Sequence, residues 1–380
     1  MSREIKGSDE ASLDPSEFPE EQANLIRRQI RGVPVLRPTA ETRLEDFVVA
    51  LQWSPDGQCI AAGLGSGQVS LMKAERLKQA RSWRAHSSAL AALDWSPEGD
   101  RIATGGQDVG RGTSGKFRVW DVSKMGEEQD VRPVSEGDGG AYSVDLVEYA
   151  PGGAAIVTAS GKHLKVWERD CALIQAFEAL PSTISGVKWR GSHERLATSS
   201  YGGIHFWEVG LSSPKRHFGW KGSLISLEIS PSGKWIAAGC QEQSVHIWKA
   251  VSGEDLEMSG YPTKVRAIRW SPDGRYLVTG GGADITVWDF SGKGPAGSRP
   301  RVMPGHVDVL VAFAFRPGFD SQFASIGKDG AFFLWDLNSG GKPIRLGIRL
   351  EAASSLAWSP DGTRLAIGYE TGDVCLWNMD

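Results

Sequence analysis

An all-β chain made by repeating one antiparallel unit is predicted by three observations. Eight stretches share one pattern at regular spacing, an apolar residue (tryptophan in all but one) closes each stretch, and short apolar segments separate them.

The first unit is "ALQWSPDGQCIAAGLGSGQVSLMK" (50–73). Leu51 and Trp53 alternate as on a half-buried strand, Ser54-Pro55-Asp56-Gly57 makes a turn, and two further alternating runs follow. The unit returns at 92–121, 145–168, 186–208, 226–249, 267–289, 312–336 and 356–380. Its closing residues are Met72, Trp120, Trp167, Trp207, Trp248, Trp288, Trp335 and Trp377, spaced 40 to 48 apart.

Segments 80–86, 131–136, 172–179, 215–221, 301–306 and 343–350 supply fourth strands. The last unit ends without one, which would leave an open row of backbone donors and acceptors. Segment 32–47 precedes the first unit as the other linkers precede theirs, so it is expected to pair outside the last unit and remove that edge.

The "SPDG" turn, small residues mid-unit and a terminal Trp-Asp recur in register over roughly residues 33–380, and this combination resembles the WD-repeat family of β-propellers. The resemblance implies a single propeller (32–380) of eight four-stranded antiparallel blades, closed by its N-terminal strand. Seven blades, with the first unit packed irregularly for want of its Trp, is the alternative. Residues 1–31 are expected to be an extension, partly disordered. A short helix is predicted over 15–32, from Pro19, Glu20 and Glu21 early, Arg27, Arg28 and Arg31 late, and Gly32 as a stop.

In the family a His, a Ser or Thr, an Asp and the Trp often form a hydrogen-bonded set. Two units carry all four residues at matching spacing: His86, Thr104, Asp108, Trp120 and His306, Ser325, Asp329, Trp335. Elsewhere the His position holds Leu44, Gly140, Leu180, Trp220, Tyr261 or Arg349. A buried aromatic is worth roughly 4–6 kcal/mol as an upper bound, against about 1 kcal/mol net for one hydrogen bond. Loss of the His with retention of the Trp is what this inequality predicts, and both sets are expected to be structural rather than catalytic dyads.

Composition narrows the chemistry. A formal charge of -4 gives no global attraction to nucleic acid or anionic lipid. Cys59, Cys171, Cys240 and Cys375 are scattered without a CxxC pair, against a zinc site or a secreted disulfide framework. With no apolar run of membrane-spanning length and no signal-like start, a soluble, cytoplasmic protein is expected. The glycine-rich stretches 105–116 and 291–298 do not fit a phosphate loop, and His205 and His246 occupy matching positions of adjacent units, so they do not converge on a metal. The run Lys73, Arg76, Lys78, Arg81, Arg84 is expected to be a solvated edge, with a patch for an acidic partner or RNA as the alternative.

No catalytic residue, cofactor or metal is expected. The family resemblance implies a non-catalytic scaffold that binds proteins or peptides through its loop faces and the N-terminal helix. Trp220, Tyr261, Arg349, Arg111 and Arg84 are the candidate contacts, with inward packing as the alternative for the aromatic pair. Membrane, nucleic acid and small-molecule substrates are not expected partners. Two other classes remain: an enzyme with its site in a central channel, where Asp94, Asp145, Glu228 and Arg269 are expected at equivalent inner-strand positions, and an RNA-binding propeller.

Overall fold

The computed structural model describes residues 3–4, 32–108, 115–123, 131–140, 142–292 and 294–379. The helix predicted over 15–32 lies outside the described residues apart from Gly32, as does Arg111.

Eight antiparallel sheets follow one another along the chain. The first comprises Val48–Trp53, Cys59–Leu64, Gln68–Lys73 and Lys78–Arg84, and the second Ala89–Trp95, Arg101–Gln107, Lys116–Asp121 and Ser135–Asp138. The third comprises Leu146–Tyr149, Ala155–Ser160, His163–Glu168 and Leu173–Ala176. The fourth is built from Ile184–Arg190, the long run Ser192–Glu208, and Arg216–Ser223. That run turns back at Gly202 and Gly203, whose φ of 100° and 130° suit glycine, and Val209 N–H donates to Glu194 C=O, so one run supplies two strands.

The fifth sheet is Glu228–Ile229, Trp235–Gly239, Val245–Lys249 and Asp255–Met258. The sixth is Ala267–Trp270, Tyr276–Gly280, Ile285–Asp289 and Arg301–Met303. The seventh is Leu310–Phe315, Gln322–Gly327, Ala331–Asp336 and Pro343–Ile348. The eighth takes Ala353–Trp358, Arg364–Tyr369 and Asp373–Asn378 from the end of the chain and Ala40–Arg43 from its beginning, with the two-residue strand Arg3–Glu4 outside.

The closing strand sits as its position in the sequence predicts. Ala40 lies opposite Leu376 and Arg43 opposite Asp373, and the pairing extends at both ends through Thr39 N–H to Leu376 C=O (2.7 Å) and Leu44 N–H to Gly372 C=O (2.9 Å). Leu376 is 2% exposed as a result. Just upstream, Leu36 N–H donates to Leu346 C=O and Leu346 N–H to Pro34 C=O, tying the approach segment to the seventh sheet.

Two compact units are distinguished, Asp46–Ile229 and a second formed by Met1–Glu45 with Ser230–Asp380. In each, the core is a series of apolar layers between neighbouring sheets. In the first unit, Trp167 meets Phe117 of the preceding sheet (ring centroids 4.8 Å) and Trp207 meets Phe177 (5.0 Å). In the second, Trp377 meets Phe332 at 4.8 Å. A Cβ on Gly305 would fall 2.6 Å from the Trp335 ring, so glycine makes room for that indole. Met72, where the first unit lacks Trp, is fully buried in a four-stranded sheet, opposite Ile60, and the pairing with the fourth strand shifts register at Leu71/Met72.

Candidate functional site

The two four-residue sets are each hydrogen-bonded, with different wiring at the histidine. At His306, both carboxylate oxygens of Asp329 lie 3.0 and 3.1 Å from Nδ1, Nε2 is 2.8 Å from Ser325 Oγ, and Trp335 Nε1 donates to the same hydroxyl (2.8 Å). A carboxylate only accepts, so Nδ1 carries a proton, while Nε2 faces the Ser325 hydroxyl. Burial pushes the Asp329 carboxyl up, but His306 and the N–H groups of Val307 and Ala331 outweigh it and hold the group below the usual carboxylate range.

At His86, Arg118 Nη1 lies 3.1 Å from Nδ1 and donates to Asp108 (2.9 Å) and to the Ala85 carbonyl (2.8 Å). A guanidinium only donates, so here Nδ1 accepts and Nε2–H faces Thr104 Oγ1 at 3.1 Å, the hydroxyl that also receives Trp120 Nε1 (2.9 Å). Burial, then the Arg118 charge, depress His86 to about 4.

This depression has a pH consequence. The folded state keeps His86 neutral, so its contribution is whole above the unfolded value of 6.5 and is lost as pH falls towards 4, about 3 kcal/mol in all. Urea unfolding at pH 7.5 and at pH 5, in wild type and in His86→Gln, checks this: the acid-side loss should be smaller in the variant.

Tyr261 replaces the His in the sixth blade and does its work. Its buried hydroxyl lies 2.7 Å from Thr279 Oγ1 and accepts from Trp288 Nε1 at 3.0 Å. The ring is inside the blade, which is the packing alternative for this residue. Tyr261→Phe is expected to cost about 1–2 kcal/mol, because it orphans the Trp288 N–H, and chemical denaturation measures it. Arg349 stands at the same position of the eighth blade, where Ile367 takes the place of the hydroxyl residue on the second strand. It turns outward to Glu41 (2.8 Å) on the closing strand and to Glu351 (3.2 Å), with its guanidinium 5.6 Å from the Tyr369 ring centre. Arg84 is exposed and donates to Ser66 C=O, while Trp220 is half-buried at the end of Arg216–Ser223.

Sequence reasoning missed two members of this system. Trp167 Nε1 donates to Thr158 and Trp207 Nε1 to Thr198, both at 2.9 Å, in blades whose His position holds Gly140 and Leu180. The signal was the Ser or Thr repeated two residues after the start of the buried run, as in "IVTAS" and "LATSS".

The polar inner-strand positions cross-link neighbouring sheets in the first unit. Gln52 Nε2 donates to Asp94 (3.2 Å), Trp95 N–H to Gln52 Oε1 (3.2 Å), and Tyr149 N–H to the other Asp94 oxygen (2.7 Å). Burial pushes Asp94 up to about 6. The expected equivalence of Asp145 is corrected. Glu148 pairs with Val157 as Asp94 pairs with Ala103, so Glu148 holds the matching place, and it is bonded by Lys188 at 3.4 Å.

Antiparallel connection places the turns between first and second strands, and between third and fourth, at one end of a blade, and the remaining connections at the other. In the first unit that second face carries Tyr142, 83% exposed, and Tyr201, 54% exposed, together with Trp220. Among the described residues no group of three or more His, Cys, Asp or Glu side chains is placed to hold a metal ion, and no helix is long and apolar enough to cross a membrane. His205 stacks on His217 (4.3 Å), and His246 Nε2 lies 2.8 Å from Asp255.

Eight antiparallel sheets with the early strand of the chain completing the last define an eight-bladed β-propeller. Its Trp–hydroxyl clamps and serine–aspartate turns recur from blade to blade. The WD40, G-beta repeat profile matches residues 212–249, 255–289 and 350–378, and the profile of the anaphase-promoting complex subunit 4 WD40 domain matches residues 20–109. The chain belongs to the WD-repeat family.

Protein HIR1 of Cryptococcus neoformans is 25% identical over 186 residues, which cover 42% of this chain and 21% of that protein. Cell division cycle 20.1, cofactor of APC complex, of Arabidopsis thaliana is 28% identical over 171 residues, covering 42% of this chain and 36% of that protein. The chain thus spans well under two thirds of these relatives. The C-terminal WD40 domain of Sif2 shares the fold, with a TM-score of 0.71 at 16% identity over 92% of this chain and 99% of that one.

Proposed function

We propose that the protein is a non-catalytic scaffold that binds partner proteins or peptides through the loop faces of its propeller, with residues 1–31 as an extension offering a second contact. The observation that carries this is the exposure of two tyrosines on that second face of the first unit, Tyr142 between the second and third sheets and Tyr201 beside the Gly202–Trp220 pair of the fourth. Tyr and Trp are the residue types enriched at interface hot spots, and large rings left in water without a packing role are what a docking surface needs. The internal His, Tyr and Thr groups, by contrast, are engaged with the indoles of their own blades. A relative described as a cofactor of the APC complex supports a role in assembly. Four unpaired cysteines fit action in the reducing cytoplasm.

Partner capture with cross-linking from native lysate, comparing the full chain with Tyr142→Ala plus Tyr201→Ala, tests the reading. Both side chains are exposed, so the thermal midpoint should hold while captured partners weaken by about tenfold or more. Unchanged capture by the double variant would sink the assignment of this face.

A further inference from the structure

Six serines of the chain are followed by proline: Ser54, Ser96, Ser213, Ser230, Ser271 and Ser359. Five of them open the turn between the first and second strands of a blade, and there the hydroxyl is used twice. It accepts a backbone N–H from the first residue of the second strand: Cys59 to Ser54 (2.9 Å), Arg101 to Ser96 (3.0 Å), Trp235 to Ser230 (3.0 Å), Tyr276 to Ser271 (2.8 Å) and Arg364 to Ser359 (2.9 Å). It also meets a side-chain oxygen of the turn, on Asp56, Asp100, Ser232, Asp273 or Asp361 respectively. None of these five serines is more than 3% exposed, so none can enter the active site of another protein while the blade is folded.

Ser213 is the exception. It lies between the third and fourth strands of the fourth blade, it is exposed, and its hydroxyl has no partner among the described residues. The loop is anchored on both sides, by Glu178 N–H to Ser212 C=O (2.9 Å) and by Lys215 N–H to Phe206 C=O (2.8 Å). Pro214 steers the residue before it away from helical backbone and towards an extended one. It also has no backbone N–H, so an enzyme cleft that offers an apolar wall and no acceptor at that place admits Ser-Pro and strands the N–H of any other residue. Lys215 and Arg216 follow two and three places after the serine, where an acidic cleft reads positive charge.

We propose that Ser213 is a phosphorylation site for a proline-directed serine kinase. ATP is the donor. Ser213 Oγ attacks the γ-phosphorus, the bond from that phosphorus to the β–γ bridging oxygen breaks, ADP leaves, and the hydroxyl proton passes to the catalytic aspartate of the kinase. The product brings about two negative charges and three acceptor oxygens to a loop whose own charged residues are Lys215 and Arg216. The phosphate competes with Glu208 for the Lys215 ammonium and neutralises this basic stretch. A loop between third and fourth strands lies at the end of the blade opposite Tyr201, so the modification changes the charge of a different face from the one that carries the exposed tyrosines. The site does not depend on the scaffold reading.

The test incubates the folded full chain with a recombinant proline-directed serine kinase and ATP, and maps the phosphate by peptide mass spectrometry. Incorporation should approach about one phosphate per chain, on Ser213 and on none of the five turn serines. Ser213→Ala, at an exposed side chain, should fold normally and abolish incorporation, Ser212→Ala should leave it unchanged, and Pro214→Ala should slow it by about tenfold or more. A synthetic peptide of residues 208–219 separates recognition of the sequence from access in the folded chain. Phosphate that persists in Ser213→Ala, modification of the peptide but not of the folded chain, or no modification of either overturns the site.

Discussion

A chain lacking residues 1–46 is expected to self-associate and to lose about 5 kcal/mol or more of stability, because it exposes the whole outer edge of Asp373–Asn378. The deletion removes four paired residues, the flanking bonds from Thr39 and Leu44, and the buried side chains of Ala40, Thr42 and Leu44. It also leaves Arg349 without Glu41. Size-exclusion chromatography with light scattering should show species larger than those of the full chain, and a synthetic peptide of residues 32–47 added in trans should reverse this. A truncated chain with the mass distribution and the thermal midpoint of the full chain would show that the closing strand is dispensable.

Trp335→Ala is expected to cost about 3–5 kcal/mol, and Trp335→Phe only about 1–2 kcal/mol. The indole is fully buried against Phe323 and Phe333 and donates to Ser325. The alanine variant leaves a cavity, whereas phenylalanine keeps most of the packing and forfeits the N–H bond. Denaturant unfolding of the two variants separates these contributions. Equal costs would mean that the polar set, rather than the packed ring, anchors the blade.

The distinction explains how the eight blades diverge around one plan. Where the second strand offers Thr104, Thr279 or Ser325, the position before the blade holds a His or Tyr that bonds to the hydroxyl. Where it offers Ile367, the same position holds Arg349, and Trp377 Nε1 is buried without an acceptor. Packing therefore survives the loss of the polar set. At Thr158 and Thr198 the hydroxyl takes the Trp N–H although Gly140 and Leu180 stand at the His position.

Strand number, blade count and the pairing of residues 32–47 with the last unit were legible along the chain, because side-chain alternation and turn residues are local signals and an unpaired edge is a simple bookkeeping problem. The two His sets were equally legible, since their spacing follows from strand lengths. Their wiring was not. Arg118 is drawn into one set and absent from the other, and a tautomer depends on which donor or acceptor approaches in space. The same holds for the inward turn of Tyr261 and the outward reach of Arg349 to a residue more than three hundred positions away. Periodicity along a strand says which face a residue takes. What waits beyond that face is supplied by other parts of the chain, and only folding brings them together.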